Sequence, residues 1–299
     1  MLGKAKFLYG VSCGLGALVL FWGYENLFPI EHMENRLVEE YLSNWYTAPI
    51  IARVFIALNF ITGVFLLLNI NPGNYLPKVF LVMMSLGIYD LTWESFTTTD
   101  IITPGYSRFF DTDLYVSILL CSILVFAALV LVRLGKASDM KRTWLKYPIG
   151  ISLFALPFIL NPVYPADLMD QSVRVGGTFD LKAFGRLPEE HLSNDKALLT
   201  LYSTSCPHCL NAMRRLAISR NQSQEYIPVF IGFLGSEAGI TSFFNEARAA
   251  FDYTILEMEQ FYKLSGSTYP SFVLLEKGEP TWRWDGRTFN YHTLQEFAQ

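Results

Sequence analysis

Two cysteines separated by two residues, in Cys206-Pro207-His208-Cys209, are the side chains of this chain best suited to chemistry. The spacing admits two uses, zinc ligation or a reversible disulfide. A structural zinc site wants a second Cys or His pair, and none follows: the other cysteines are Cys13 and Cys121, and His191 and His292 are scattered. The motif therefore reads as a redox dithiol with no metal. A thiolate attacks a disulfide and forms a mixed disulfide, which the second thiol displaces. Cys206 is the expected nucleophile and Cys209 the resolving thiol, with Pro207 and His208 between them. His208 adds positive charge that favours the Cys206 thiolate.

The elements around the motif fit that role. Ala197 to Tyr202 reads as a buried strand, Ser203-Thr204-Ser205 as a turn, and Leu210 to Ile218 as a helix, so Cys206 falls at a helix N-terminus. There, free backbone N–H groups and the macrodipole stabilise an anion. A strand from Pro228 to Leu234, a helix from Glu237 to Ala250 and a shorter helix from Glu257 to Leu264 follow. Tyr269-Pro270 then precedes a strand Ser271 to Leu275, a turn at Lys277-Gly278, a strand at Thr281 to Trp284 and a closing helix from Tyr291 to Phe297.

Composition changes near Asn161. The chain is 52% hydrophobic and 15% aromatic, above the usual soluble content, and the excess lies before that point. Five apolar stretches stand out: Phe7 to Leu27, Ile50 to Ile70, Val79 to Trp93 (extendable to Thr99), Leu114 to Leu134, and Tyr147 to Leu160. A span needs about 20 helical residues, so the third and fifth are short, and four to five spans are expected. Lys4, Lys6, Lys78, Arg133, Lys136, Lys141, Arg142 and Lys146 occupy alternate connections, which the positive-inside rule places in the cytoplasm. The connections Pro29 to Pro49 and Glu94 to Asp113 contain only Arg36 and Arg108 among several acids, and read as external, as does everything after Asn161. The first apolar run has no clear cleavage pattern and reads as an anchor. Domains at 1-165 and 166-299 follow. The net charge of −4 and the lack of a basic stripe argue against a nucleic-acid partner.

Ionisable residues in the apolar half invite a functional reading. Arg53, Asp90 and Glu94, with Glu25 and Asn59 near, are expected to cluster, with Arg53 pairing to Asp90 or Glu94. That cluster either locks the bundle or serves protons or a quinone, the one cofactor open to this protein, since the dithiol needs none. Cys13 and Cys121 read as buried, inert thiols.

Ala52-Arg53-Val54-Phe55-Ile56-Ala57, with Gly63 and a Leu run following, resembles the second helix of DoxX/MauE-type four-helix membrane proteins. The resemblance covers roughly residues 1 to 135 and implies a small bundle associated with redox chemistry. The strand, dithiol and helix order resembles a thioredoxin-like domain of the TlpA type, and Cys-Pro-His-Cys is similar to the active site of the DsbA-type oxidases. This implies a cis Tyr269-Pro270 bond, with Pro270 shaping a substrate groove. The buried acid that thioredoxins often carry six residues before the first cysteine is replaced by Thr200, so Cys209 needs another base or water.

The expected fold is thus an α-helical transmembrane bundle followed by an α/β thioredoxin-like domain. The expected activity is thiol–disulfide exchange with exported cysteine-containing proteins, at the periplasmic side of a bacterial inner membrane. Two alternatives remain: a quinone-linked or transmembrane electron-transfer component, and a docking subunit of a larger membrane assembly, with Trp282, Trp284, Phe289 and Tyr291 forming a partner surface.

Overall fold

A computed structural model describes residues 2–70, 75–96, 114–134, 143–164, 173–174, 179, 181–184, 195–222, 226–266 and 268–294. The chain divides into two units. One comprises Met1–Ser43 and Ala48–Val163, the other Asn44–Thr47 and Tyr164–Gln299.

The first unit is helical: α1 (Leu2–Leu27), α2 (Ile30–Glu39), α3 (Ala48–Leu67), α4 (Leu76–Phe96), α5 (Leu114–Leu134) and α6 (Lys146–Leu160). Lys6–Leu27, Ala48–Leu67 and Tyr115–Leu134 are long and apolar enough to cross a membrane. The 21 residues of α4 give sufficient length, about 1.5 Å each, and the 15-residue α6 is short. The extension of the third stretch through Thr99 falls outside the described residues. The outward faces are greasy: Leu119, Phe126, Ile151 and Ile159 are each at least 60% exposed. Such surface needs an apolar surround, which lipid supplies.

The α1–α3 crossing depends on missing side chains. A Cβ on Gly63 would lie 2.5 Å from Leu20 Cγ and 2.8 Å from the Gly16 carbonyl oxygen, and one on Gly16 would lie 2.8 Å from the Gly63 oxygen. In lipid, where no hydrophobic force separates helix from solvent, close backbone approach of this kind drives association.

Helix α2 was expected to be external loop. It is instead a short amphipathic helix whose Ile30, Met33 and Leu37 repeat at helical spacing and are buried, together with Glu34 and Arg36. The reading of Arg36 as a loop charge is therefore corrected: its side chain is fully buried.

The second unit is built on a six-stranded sheet of order β1-β6-β5-β2-β3-β4. Its strands are β1 (Val173–Arg174), β2 (Lys196–Ser203), β3 (Val229–Leu234), β4 (Asp252–Ile255), β5 (Ser271–Glu276) and β6 (Glu279–Asp285). Its helices are α7 (Pro207–Gln222), α8 (Glu237–Ala247) and α9 (Met258–Ser265). β2 runs parallel to β3 and antiparallel to β5, and β5 and β6 form a hairpin. Lys277 and Gly278 both have positive φ, which suits the tight turn joining that hairpin.

Seven of the eight residues of β2 are buried because the strand is covered on both faces. Ala197, Leu199 and Leu201 pack with Phe230, Leu256, Phe261, Leu264 and Val273. Thr200 and Tyr202 point to the other face, where Tyr202 meets Phe233, Phe243 and Phe272. Phe289 stacks on Phe272 at 4.0 Å, and Trp284, Phe289 and Tyr291 are buried. These three aromatics are core rather than a partner surface. Of the expected closing helix from Tyr291 to Phe297, the last three residues lie outside the described residues. Strands β1 and β4 went unread, because two residues at one edge and the largely exposed Asp252–Ile255 at the other carry no apolar pattern.

Candidate active site

The end of β2, the Ser203-Thr204-Ser205 turn and the start of α7 carry the dithiol. Thr204 N–H donates to the Leu234 carbonyl and Cys206 N–H to the Ser203 carbonyl, each at 3.1 Å, which ties the turn to the sheet. Pro207 opens α7, where a missing N–H costs nothing and a fixed φ suits the helix. Cys206 occupies the N-cap position: its carbonyl accepts the N–H of Cys209 at 3.1 Å and of Leu210 at 3.2 Å. Its sulfur also accepts the Cys209 N–H, at 3.3 Å.

This placement divides the two thiols. Cys206 is half-buried and Cys209 is fully buried, and both are free. The Cys206 thiol is lowered to about 6, through the Cys209 side chain first, then the backbone N–H groups of Cys209 and His208 and the charge of His208, against some desolvation. Burial, and then the neighbouring Cys206 sulfur, push the Cys209 thiol far up. One thiol is thus poised as a nucleophile near neutral pH and the other held protonated.

Tyr269–Pro270 is cis, and a Cβ on Gly286 would lie 2.7 Å from the proline ring, so a glycine leaves the room this loop occupies. Tyr269 stands within electrostatic reach of Cys206 and Cys209 and is about as exposed as Tyr262, at 37% and 39%. Tyr269, next to Tyr262, thus keeps a partly exposed ring on the dithiol side of the loop.

The structure rearranges the expected ionic cluster of the helical unit. Arg53 does not meet Asp90. Its guanidinium donates to Glu34 Oε1 at 2.7 Å and to the carbonyls of Asn161 at 2.6 Å and Pro162 at 3.1 Å, so it clasps α2, α3 and the C-terminal end of α6. Asp90 Oδ1 instead takes Arg36 Nε at 2.8 Å, and Glu40 Oε1 lies 2.7 Å from the same nitrogen. The reason is α2, which supplies both Glu34 and Arg36 and so offers each buried charge a nearer partner. Arg36, Glu40 and Asp90 are at most 1% exposed. Burial, then hydrogen bonding and repulsion from Asp90, push the Glu40 carboxyl up to about 10. The Glu94 side chain lies outside the described residues. The signal for this arrangement was legible in the i, i+3, i+7 pattern of Ile30, Met33 and Leu37.

No family model matches the chain, and no curated protein does. Among solved structures, it is similar to a secreted disulfide oxidoreductase of Mycobacterium tuberculosis homologous to E. coli DsbE, at 14% identity and a TM-score of 0.30, over 35% of this chain and 81% of the other. It is also similar to the thioredoxin domain of a thiol-disulfide oxidoreductase of Bacteroides vulgatus, at 14% identity and a TM-score of 0.32, over 43% and 94% of the two chains. The DoxX/MauE resemblance has no counterpart among these matches. Strand order β6-β5-β2-β3, the dithiol at the start of the helix after β2 and the cis proline before β5 make the second unit thioredoxin-like on its own geometry.

Proposed function

We propose that this chain is a membrane-anchored thiol–disulfide oxidoreductase that exchanges disulfides with exported proteins through Cys206 and Cys209. One observation carries the reading: an accessible, acidic Cys206 at a helix N-terminus beside a buried, protonated Cys209. An attacking thiol and a resolving thiol need those opposite properties. Residues 1-165 serve as the anchor in this reading and residues 166-299 as the catalytic domain. Five spans send the C-terminal domain to the side opposite the N-terminus and keep every basic connection on the N-terminal side, which makes the domain extracytoplasmic; four spans would leave it with the N-terminus.

Trapping thiols in intact cells with membrane-impermeant and permeant alkylating reagents tests side and direction together. Labelling of Cys206 from outside is expected. A mainly oxidised pair makes the protein an oxidase and a mainly reduced pair a reductase, whereas protection until the membrane is breached overturns the topology. Cys209→Ala is expected to accumulate mixed disulfides with exported proteins, and Cys206→Ala to form none. An absence of such adducts in Cys209→Ala refutes the exchange reaction.

A second reading makes the bundle a redox partner of the dithiol, of DoxX/MauE type and linked to a quinone. The buried Arg36–Glu40–Asp90 cluster favours it, because redox chemistry of a quinone needs groups that take up and release protons. Loss of quinone-dependent reoxidation in Asp90→Asn membranes, with the dithiol intact, would support it.

A further inference from the structure

Helix α7 is buried on every side in its second half: Leu216, Ala217, Ile218 and Ser219 are consecutive, and each is at most 1% exposed. A helix lying on a sheet buries one stripe and leaves the other in water, so the outer side of this stretch has a further cover. That cover is Trp45, from the connection between α2 and α3. Its ring is 5% exposed, and its Nε1–H donates to the Ser219 hydroxyl at 3.0 Å, across 174 positions of sequence. The Trp45 ring lies 5.5 Å from that of Tyr291, and the Arg215 guanidinium stands over both rings at 5.5 Å. Tyr46 meets the His292 ring edge-on at 4.6 Å. Asn44 Oδ1 accepts the N–H groups of Tyr46 at 3.1 Å and Thr47 at 2.9 Å, a side-chain-closed turn that holds the two aromatic residues in place. Asn44–Thr47 accordingly belongs to the second unit, although the chain on either side belongs to the first.

We propose that the face formed by Arg215 and Ser219 of α7 with Tyr291 and His292 is an intramolecular docking site for Trp45-Tyr46, and that this segment completes the dithiol domain and latches α7. The dithiol domain is thereby discontinuous, with a part that precedes α3 in sequence. The consequence for chemistry rests on the dithiol reading above. Cys209 lies six residues before Arg215 on the same helix, about 9 Å along its axis, and is 0% exposed. The turns of one helix open and close together, so freeing its second half uncovers the resolving thiol in its first turn. A buried indole removes about 150–250 Å² from water, and its N–H satisfies a hydroxyl that is itself 0% exposed. Because the segment is tethered, it needs no second protein to occupy the site.

The test follows N-ethylmaleimide labelling of Cys209 by mass spectrometry in the reduced full-length protein in detergent, with Cys13 and Cys121 replaced by Ala. Cys209 reacts only when the domain opens locally. Trp45→Phe and Ser219→Ala are each expected to speed that labelling about three- to tenfold, the worth of one hydrogen bond. Their double variant is expected to gain no more than the faster single one, since both remove the same bond. Trp45→Ala, which also empties the site, is expected to speed it about a hundredfold or more. Trp144→Ala, whose ring is 64% exposed, is the control and should match the native rate. Multiplying effects in the double variant, a native rate in Trp45→Ala, or an equal gain in Trp144→Ala overturns the docking. Labelling that speeds up on dilution shows Trp45 arriving from a second copy and overturns the intramolecular assignment. If Trp45→Ala does not accumulate, the Trp45→Phe and Ser219→Ala pair decides alone. Adduct trapping in Cys209→Ala tests the exchange reaction separately, so failure of that reading is told apart from failure of the latch.

Discussion

The Cys209 N–H points at the Cys206 sulfur, 3.3 Å away, so the backbone of the resolving residue stabilises the thiolate of the attacking one. The first turn of α7 thereby sets the chemistry of both thiols. It lends donors to Cys206 and turns Cys209 into the core.

Alkylation of Cys206 by iodoacetamide is expected to rise with pH and reach half its maximum near pH 6, against about 9 for an unperturbed thiol. Because the folded-state value is depressed, the reduced protein gains stability as pH climbs from about 6 towards 9 and loses it as pH falls through 6. Rate-versus-pH measurements with melting curves of the reduced form check both; a midpoint above 8 contradicts the assignment.

Replacing His208 with Ala removes the charge that helps lower Cys206 and leaves its hydrogen bonds in place. The alkylation midpoint is expected to move up by about half a unit, with a roughly threefold slower reaction below the midpoint. The backbone contribution survives, so a complete return to ordinary thiol behaviour would refute the helix-terminus account.

In the helical unit, Arg36→Leu leaves Glu40 and Asp90 without their shared cation and is expected to destabilise the solubilised protein by about 3–5 kcal/mol. Glu40→Gln should cost under about 1 kcal/mol, since the carboxyl, pushed up to about 10, is already protonated at neutral pH and the amide mimics it. A raised carboxyl contributes its full stabilisation below its unfolded value, and this is lost progressively as pH rises from about 4.5 through 10. Thermal unfolding in detergent across this range is the measurement.

Gly63→Val places carbon against Leu20 and the Gly16 carbonyl, and parting the α1–α3 backbones is expected to cost about 1–3 kcal/mol. Gly10→Val, where a Cβ meets nothing within 4 Å, is the matched control and should be nearly neutral. Equal losses in the two variants would show that helix propensity rather than the crossing is responsible.

The dithiol, the strand before it, the helix after it and the hairpin were legible in the linear chain because each is local: apolar runs, Gly and Pro punctuation, and two cysteines one helical turn apart. Edge strand β4 was not, since Asp252–Ile255 is drawn into the sheet by pairing with β3 and not by its own largely exposed side chains. The charge pairs were not legible either. Arg53, Asp90 and Glu94 stand out as costly, but partner choice depends on which helix faces which, and a ten-residue helix in a stretch read as external loop supplies Glu34 and Arg36 as the partners of Arg53 and Asp90. Local order along the chain therefore decided the fold class and the identity of the reactive thiols. Packing decided which sulfur is acidic and which charges meet, because burial and long-range contact are properties of the assembled core.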